Sequence, residues 1–286
     1  MKIKKILGLG LAMALAIGGL AACSSAQNTA SPSPGTTDAA AQSGTIKVSG
    51  STSVFPVLDG LKDMFMEKYP DIKVQVEQGG SGVGISNVTD GVVDIGMSSR
   101  NLKDEEKGLT ETTLCLDGIA VVVNNDNAVK DLTTEQIAKI YKGEIKNWKE
   151  VGGKDAKITL ITRESTSGTR GAFEELVLEG EVIDDTLCLV QNSTGNAAAS
   201  VESDPNAIGY ISLGVLGNYS KLHAVKVNGV EATEENVLNS TYTISRPFLL
   251  LTREAPTGIV KTFLDYVTTD QEALDFIEEE HYILVK

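Results

Sequence analysis

Residues 163–173 read RESTSGTRGAF: one arginine, a run of Ser, Thr and Gly, and then the apolar start of a predicted helix. That order of residue types suits an oxyanion. The first turn of a helix leaves up to about four backbone N–H groups without an intrahelical partner, and its aligned peptides place roughly half a positive charge there. Glycine lets the backbone come close to a ligand and Ser or Thr adds a hydroxyl donor. Arginine supplies a full charge on a planar fork that matches oxyanion geometry. Three further stretches set small hydroxyl residues, glycines or an acid at predicted strand ends: Gly50-Ser51-Thr52-Ser53 before the helix that opens at Val54, Gly79-Gly80-Ser81-Gly82 before another helix, and Asp94 within VVDIGMSSR. Each alone has a plain structural reading: a Ser or Thr before a helix caps it, an arginine pairs with a surface acid, and an aspartate ends a turn. Together, at strand ends of one chain, they describe an anion cage.

Other chemistries find less support. The glycines of GGSGVG at 79–84 are not spaced as a dinucleotide fingerprint. The same run misses the G-x-S-x-G nucleophile elbow because Val83 stands at its last position. A serine hydrolase or phosphatase needs a base beside its nucleophile, and the only histidines, His223 and His281, sit near no Ser-Gly motif. No C-x-x-C occurs, so no zinc site is expected. The formal net charge of −14 argues against a nucleic-acid surface. It does not argue against an anion site, because water and salt screen diffuse surface charge over about 8 Å.

The elements that must position the cage follow from periodicity. Strands are expected near 45–49, 72–77, 92–97, 118–125, 157–162, 186–190, 208–212, 221–227 and 245–251. Helices are expected at 54–68, after Ser81, at 133–141, from Ser167, and near 257–267 and 270–280. The alternation implies an α/β fold with mostly parallel pairing, and such sheets bind ligands where strands end and helices begin. Cys115 and Cys188 lie in apolar strand-like runs; these surroundings favour buried thiols, and a disulfide between them stays open.

The first residues are expected to be a leader rather than part of the fold. Lys2, Lys4 and Lys5 precede an uncharged apolar run from Ile6 to Ala22, as in a secretory signal. Leu20-Ala21-Ala22-Cys23 resembles the lipobox of bacterial lipoproteins, which implies lipidation at Cys23 and a membrane anchor. Residues 24–43 are small and polar, and read as a disordered linker. As a flexible coil it reaches roughly 25 Å.

At SGSTSVFPV, QGGSGVGI, VDIGMSSR and RESTSGTRGAF, in that order, the chain resembles the phosphate-binding proteins of bacterial phosphate ABC importers. LTTEQIAKIYKGEIKNWKEVGG at 132–153 and AIGYISLG at 207–214 extend the likeness over nearly all of 44–286. The resemblance implies a periplasmic-binding-protein-like type II fold, with two lobes joined by two crossover segments near 121–125 and 243–248 and a ligand cleft between them. Lobe 1 is expected at 44–122 plus 246–286, and lobe 2 at 123–245. It further implies a monomer that uses no cofactor or metal, is not an enzyme, and delivers inorganic phosphate to membrane permease subunits.

Carried over by position, lobe 1 contributes Thr52, Ser53, the N–H groups of Val54 and Phe55, Ser81 and Asp94. Lobe 2 contributes Arg163, Ser167, Gly168 and Thr169. Val54 stands where some members have a hydroxyl residue, leaving Thr52 or Ser53 to substitute. In this scheme Asp94 accepts the proton that phosphate carries near neutral pH and sulfate lacks, and so selects between them. Arg100 reads as an ion-pair residue. The same fold binding sulfate, molybdate or tungstate is the alternative.

Overall fold

A computed structural model describes residues 42–285. The leader, Cys23 and the linker up to residue 41 lie outside the described residues.

In chain order the elements are β1 (Gly44–Gly50), α1 (Phe55–Lys68), β2 (Ile72–Gln78), α2 (Ser81–Thr89), β3 (Ile95–Ser98), β4 (Thr110–Asn124), β5 (Asp131–Leu132), α3 (Thr134–Tyr141), β6 (Thr159–Arg163) and α4 (Gly168–Val177). They continue as β7 (Cys188–Gln191), α5 (Thr194–Ser203), β8 (Ala207–Ser212), β9 (Leu222–Ala224), β10 (Lys226–Val227), α6 (Glu234–Leu238), β11 (Ser245–Thr252), α7 (Gly258–Thr269) and α8 (Gln271–Glu279). Local chemistry accounts for many of the boundaries. Proline falls in the first turn of α1, where its missing N–H costs nothing, and Val57, Leu58, Leu61 and Phe65 are buried along that helix. Thr133 and Gln136 form a reciprocal capping box at the start of α3.

The main sheet runs β2-β1-β3-β11-β4-β8-β6-β7, with β9 also on β4. Its flanks are parallel, β1 with β2 and β3, and β6 with β7 and β8. Its centre is antiparallel, because β11 pairs with β3 and β4, and β4 with β8 and β9. The mostly parallel sheet expected from the alternation is therefore a mixed one. Alternation along the chain counts crossovers, but it is blind to a late strand such as β11 returning to the middle of the sheet.

The central strand β4 joins the two cores. Thr110 to Gly118 pair with β11 across a register shift at Leu114, and Ile119 to Val123 pair with β8. The partner changes at Gly118–Ile119, earlier in the chain than the first crossover expected at 121–125. Leu114 and Cys115 belong to one core with Ile46, Leu58, Phe65, Phe248 and Phe263. Ile119, Val121 and Val123 belong to a second core with Trp148, Phe173 and Tyr210, while Ala120 and Val122 face Ala197, Ala198 and Val201 on the other side of the sheet. Burial on both faces explains the unbroken apolar run of this strand. The first core defines lobe 1 and the others lobe 2. Cys115 and Cys188 are free thiols, Cys115 fully buried.

The two parallel flanks run in opposite directions and pair with successive halves of β4, so their carboxyl ends face one another, where the helix starts are. Helix α2 sits directly on the strands there: a Cβ at Gly84 would lie 2.6 Å from the Ser49 carbonyl oxygen and 2.9 Å from that of Met97. The substitution Gly84→Ala is expected to lift α2 off β1 and β3 at an overpacking cost of about 1–3 kcal/mol. Thermal melting should show it as a Tm lower by roughly 2–10 °C.

Candidate functional site

The starts of α1, α2, α4 and α5 converge at the carboxyl ends of β1, β3 and β6. From lobe 1 come Ser51, Thr52, Ser53 and Ser81; from lobe 2 come Arg163, Ser167, Thr169 and Thr194; all are buried. The Ser53 hydroxyl lies 2.8 Å from that of Thr169 and 2.9 Å from that of Thr194. The Thr52 and Thr194 hydroxyls are 3.2 Å apart. Beside them the Gly82 N–H donates to the Thr166 carbonyl across the lobes at 2.9 Å. The two lobes are thus in contact through hydroxyl groups that can each donate once and accept twice.

Arg163 ends β6 and its side chain is 2 % exposed. Its Nη2 donates to Thr52 Oγ1 at 3.1 Å and its Nη1 to Thr194 Oγ1 at 3.2 Å, so one guanidinium touches both lobes. The far edge of the fork is held by Glu164, through Nε to Oε2 at 3.0 Å and Nη2 to Oε1 at 2.9 Å, and by the Gln191 carbonyl at 3.2 Å. Glu164 fixes the plane of the guanidinium and leaves Nη1 and Nη2 directed at the hydroxyl cluster.

The remaining expected residues divide clearly. Gly168 opens α4 so close to lobe 1 that a Cβ there would run into Ser81 Oγ and stand 2.6 Å from Ser99 Oγ. Only glycine fits. Ser167 caps α4 by accepting the Arg170 N–H at 3.3 Å. Among the described residues the N–H groups of Gly168 and Thr169 have no partner within the chain. The expected N–H donors of α1 are less open: Phe55 N–H donates to the Ser51 carbonyl at 3.1 Å and Val54 N–H to Ser51 Oγ at 3.3 Å. Arg100 pairs with Glu106 through both nitrogens, at 2.6 and 2.7 Å.

Asp94 is not in the cluster. The strand predicted at 92–97 begins only at Ile95, so Asp94 precedes it, at the end of the sheet away from the helix starts. Its exposed carboxylate accepts the Lys47 N–H at 2.8 Å and its own N–H donates to the Lys47 carbonyl at 2.9 Å. At about 3.3 Å per residue the length of β3 separates it from the carboxyl end. The residue that β3 does deliver is Ser99, 1 % exposed, whose Oγ accepts from Ser51 Oγ at 2.8 Å and whose N–H donates to Ser81 Oγ at 3.0 Å. Sequence reasoning missed Ser99 and Thr194. The Ser-Thr-Gly run before the alanines of α5 carries the same signature as the other helix starts and would have flagged Thr194.

Comparison with known proteins bears on what this cluster is. Residues 35–271 match the model of a PBP superfamily domain. The phosphate-binding protein PstS of Bacillus subtilis is 35% identical over 247 residues, covering 85% of this chain and 81% of that protein. The chain belongs to the PstS family of phosphate-binding proteins. That is a substrate-binding family, not an enzyme family. Among solved structures, a Clostridium perfringens protein described as a phosphate ABC transporter substrate-binding protein, with bound phosphate, is 44% identical with a TM-score of 0.80. The match covers 85% of this chain and 100% of that one. A Vibrio cholerae ABC-type phosphate transport receptor is 39% identical with a TM-score of 0.71, over 84% of this chain and 100% of that one. The type II fold expected from the sequence agrees with these matches.

Because Asp94 of this PstS-family chain faces away from the cluster, Asp94→Asn is expected to leave oxyanion affinity within twofold for both phosphate and sulfate. Parallel calorimetric titrations of the variant and the wild type check it.

Proposed function

We propose that the cluster binds inorganic phosphate between the two lobes for delivery to an ABC permease. The reading is carried by one observation: a buried guanidinium, already held on one edge by Glu164, aims Nη1 and the second N–H of Nη2 into hydroxyls contributed by both lobes at a convergence of helix starts. In this reading Arg163 supplies the charge. Thr52, Ser53, Ser81, Ser99, Thr169 and Thr194 supply hydroxyls, and Gly168 and Thr169 supply N–H donors with the dipole of α4 behind them. The direct hydroxyl contacts between the lobes correspond to a closed arrangement, and opening separates the two sets of donors. The relatives bound to or named for phosphate support the choice of ligand. The lipobox-like Cys23 supports a lipid anchor outside the cell, with the linker setting the reach of the binding domain, and the protein acts as a monomer.

A second tetrahedral anion has a specific opening. With Asp94 outside the cage, its carboxylate cannot test a ligand for a proton, and the Glu164 carboxylate is engaged on Arg163. Hydroxyls turn to donate or accept as the ligand demands, so sulfate is the competitor that matters. Calorimetric titration of the purified protein with phosphate and with sulfate decides between them. Phosphate binding at least a hundredfold tighter supports the proposal; equal or tighter sulfate binding removes it. Replacing Arg163 by Ala takes away a buried, hydrogen-bonded charge and is expected to cost about 2–5 kcal/mol, a loss of roughly thirtyfold or more in phosphate affinity.

A further inference from the structure

Beneath the cage lies a second buried charge that the ligand does not need to touch. Arg246, at the start of β11, is 3% exposed and Asp117, on β4, is 1% exposed. They pair through Nη2 and Nε to the same carboxylate oxygen, at 2.9 and 3.3 Å. The other carboxylate oxygen of Asp117 accepts the Ser212 hydroxyl at 2.8 Å and the Gly214 N–H at 3.3 Å, both from lobe 2. The remaining arm of Arg246, Nη1, donates to the Ser99 carbonyl at 3.1 Å, in lobe 1. The pair therefore straddles the place where β4 changes partners, one member fastened to each lobe.

A pair so deeply buried is poor evidence of stabilisation in itself, because desolvation of both ions offsets their attraction. Its geometry suggests another use. Ser99 is fixed at every polar group: its carbonyl by Arg246, its N–H by Ser81 and its hydroxyl by Ser51. The guanidinium is also within reach of the cage electrostatically. Burial is the main influence drawing Arg246 below its ordinary range, the Asp117 charge opposes it, and the positive charge of Arg163 adds to the lowering.

We propose that Arg246, held by Asp117, is a positioning residue that sets Ser99 in the anion cage and ties that setting to the register of the two lobes. This rests on the phosphate reading above. Arg246 touches no ligand in this scheme; it acts by placing the Ser99 hydroxyl between Ser51 and Ser81.

The test replaces both charges together, Arg246→Met with Asp117→Leu, so that no unpaired ion is left in the interior. Phosphate affinity is measured by calorimetry in the wild type, the paired variant, Ser99→Ala and the combination of all three. The expected result is a folded paired variant with phosphate Kd raised at least tenfold, and a Ser99→Ala effect that shrinks by half or more in that background. Such non-additivity is not expected if the pair merely stabilises the fold at a distance. An unchanged Kd in the folded variant, or additive effects of the two changes, overturns the positioning role and leaves the phosphate reading standing. If the wild type itself fails to bind phosphate, both fall. Should the paired variant not fold, Arg246→Lys decides. A lysine keeps the charge but cannot reach Asp117 and the Ser99 carbonyl with one planar fork, so a tenfold weaker Kd supports the role and wild-type affinity overturns it.

Discussion

The site depends on satisfying one guanidinium inside the protein. A buried, unpaired charge is costly enough that folded chains avoid it, and Arg163 is among the largest side chains fully withdrawn from water. Glu164 and the Gln191 carbonyl meet part of its demand from lobe 2. Thr52 and Thr194 meet the rest, and Thr52 belongs to the other lobe. The arginine is thus completed only when the lobes are together. An oxyanion among the same hydroxyls answers the same requirement more strongly, since it sets a full negative charge against the guanidinium and matches its planar fork.

A net charge of −14 and an affinity for anions do not conflict. In the proposed site the attraction comes from helix starts, hydroxyls and one arginine withdrawn from water, where interactions are stronger than at the surface. Acidic side chains in solvent are screened. The Glu164 carboxylate is committed to the arginine and serves as its brace.

Much of the cage is legible in the sequence. Arg163, Gly168, Thr169, Ser53 and Ser81 share one local pattern, a small or hydroxyl residue between a strand and an apolar helix, and that pattern has a direct physical meaning. Thr194 carries the pattern, but α5 buries mainly alanines, whose apolar stripe is too faint to mark the helix. Ser99 carries no such pattern: β3 ends in a loop and not in a helix, and only its three-dimensional contacts with Ser51, Ser81 and Arg246 mark it. Asp94 illustrates the opposite failure. The strand expected from residue 92 begins at Ile95, so Asp94 lies before its amino end, and in a parallel flank that end is opposite the helix starts. The fold class was legible from alternation, whereas the antiparallel centre depended on the return of β11, which no local signal encodes.

Strand β4 crosses from one core to the other without interruption. Relative movement of the lobes must then be absorbed by bending and twisting a continuous ribbon, in the manner of a leaf spring and not of a swivel. A polypeptide cut on either side of Gly118 would leave each half with an unsheathed strand edge and half a hydrophobic interior. Gene fragments encoding the lobes separately should therefore yield insoluble products, and the domain at 42–285 should denature as one indivisible unit.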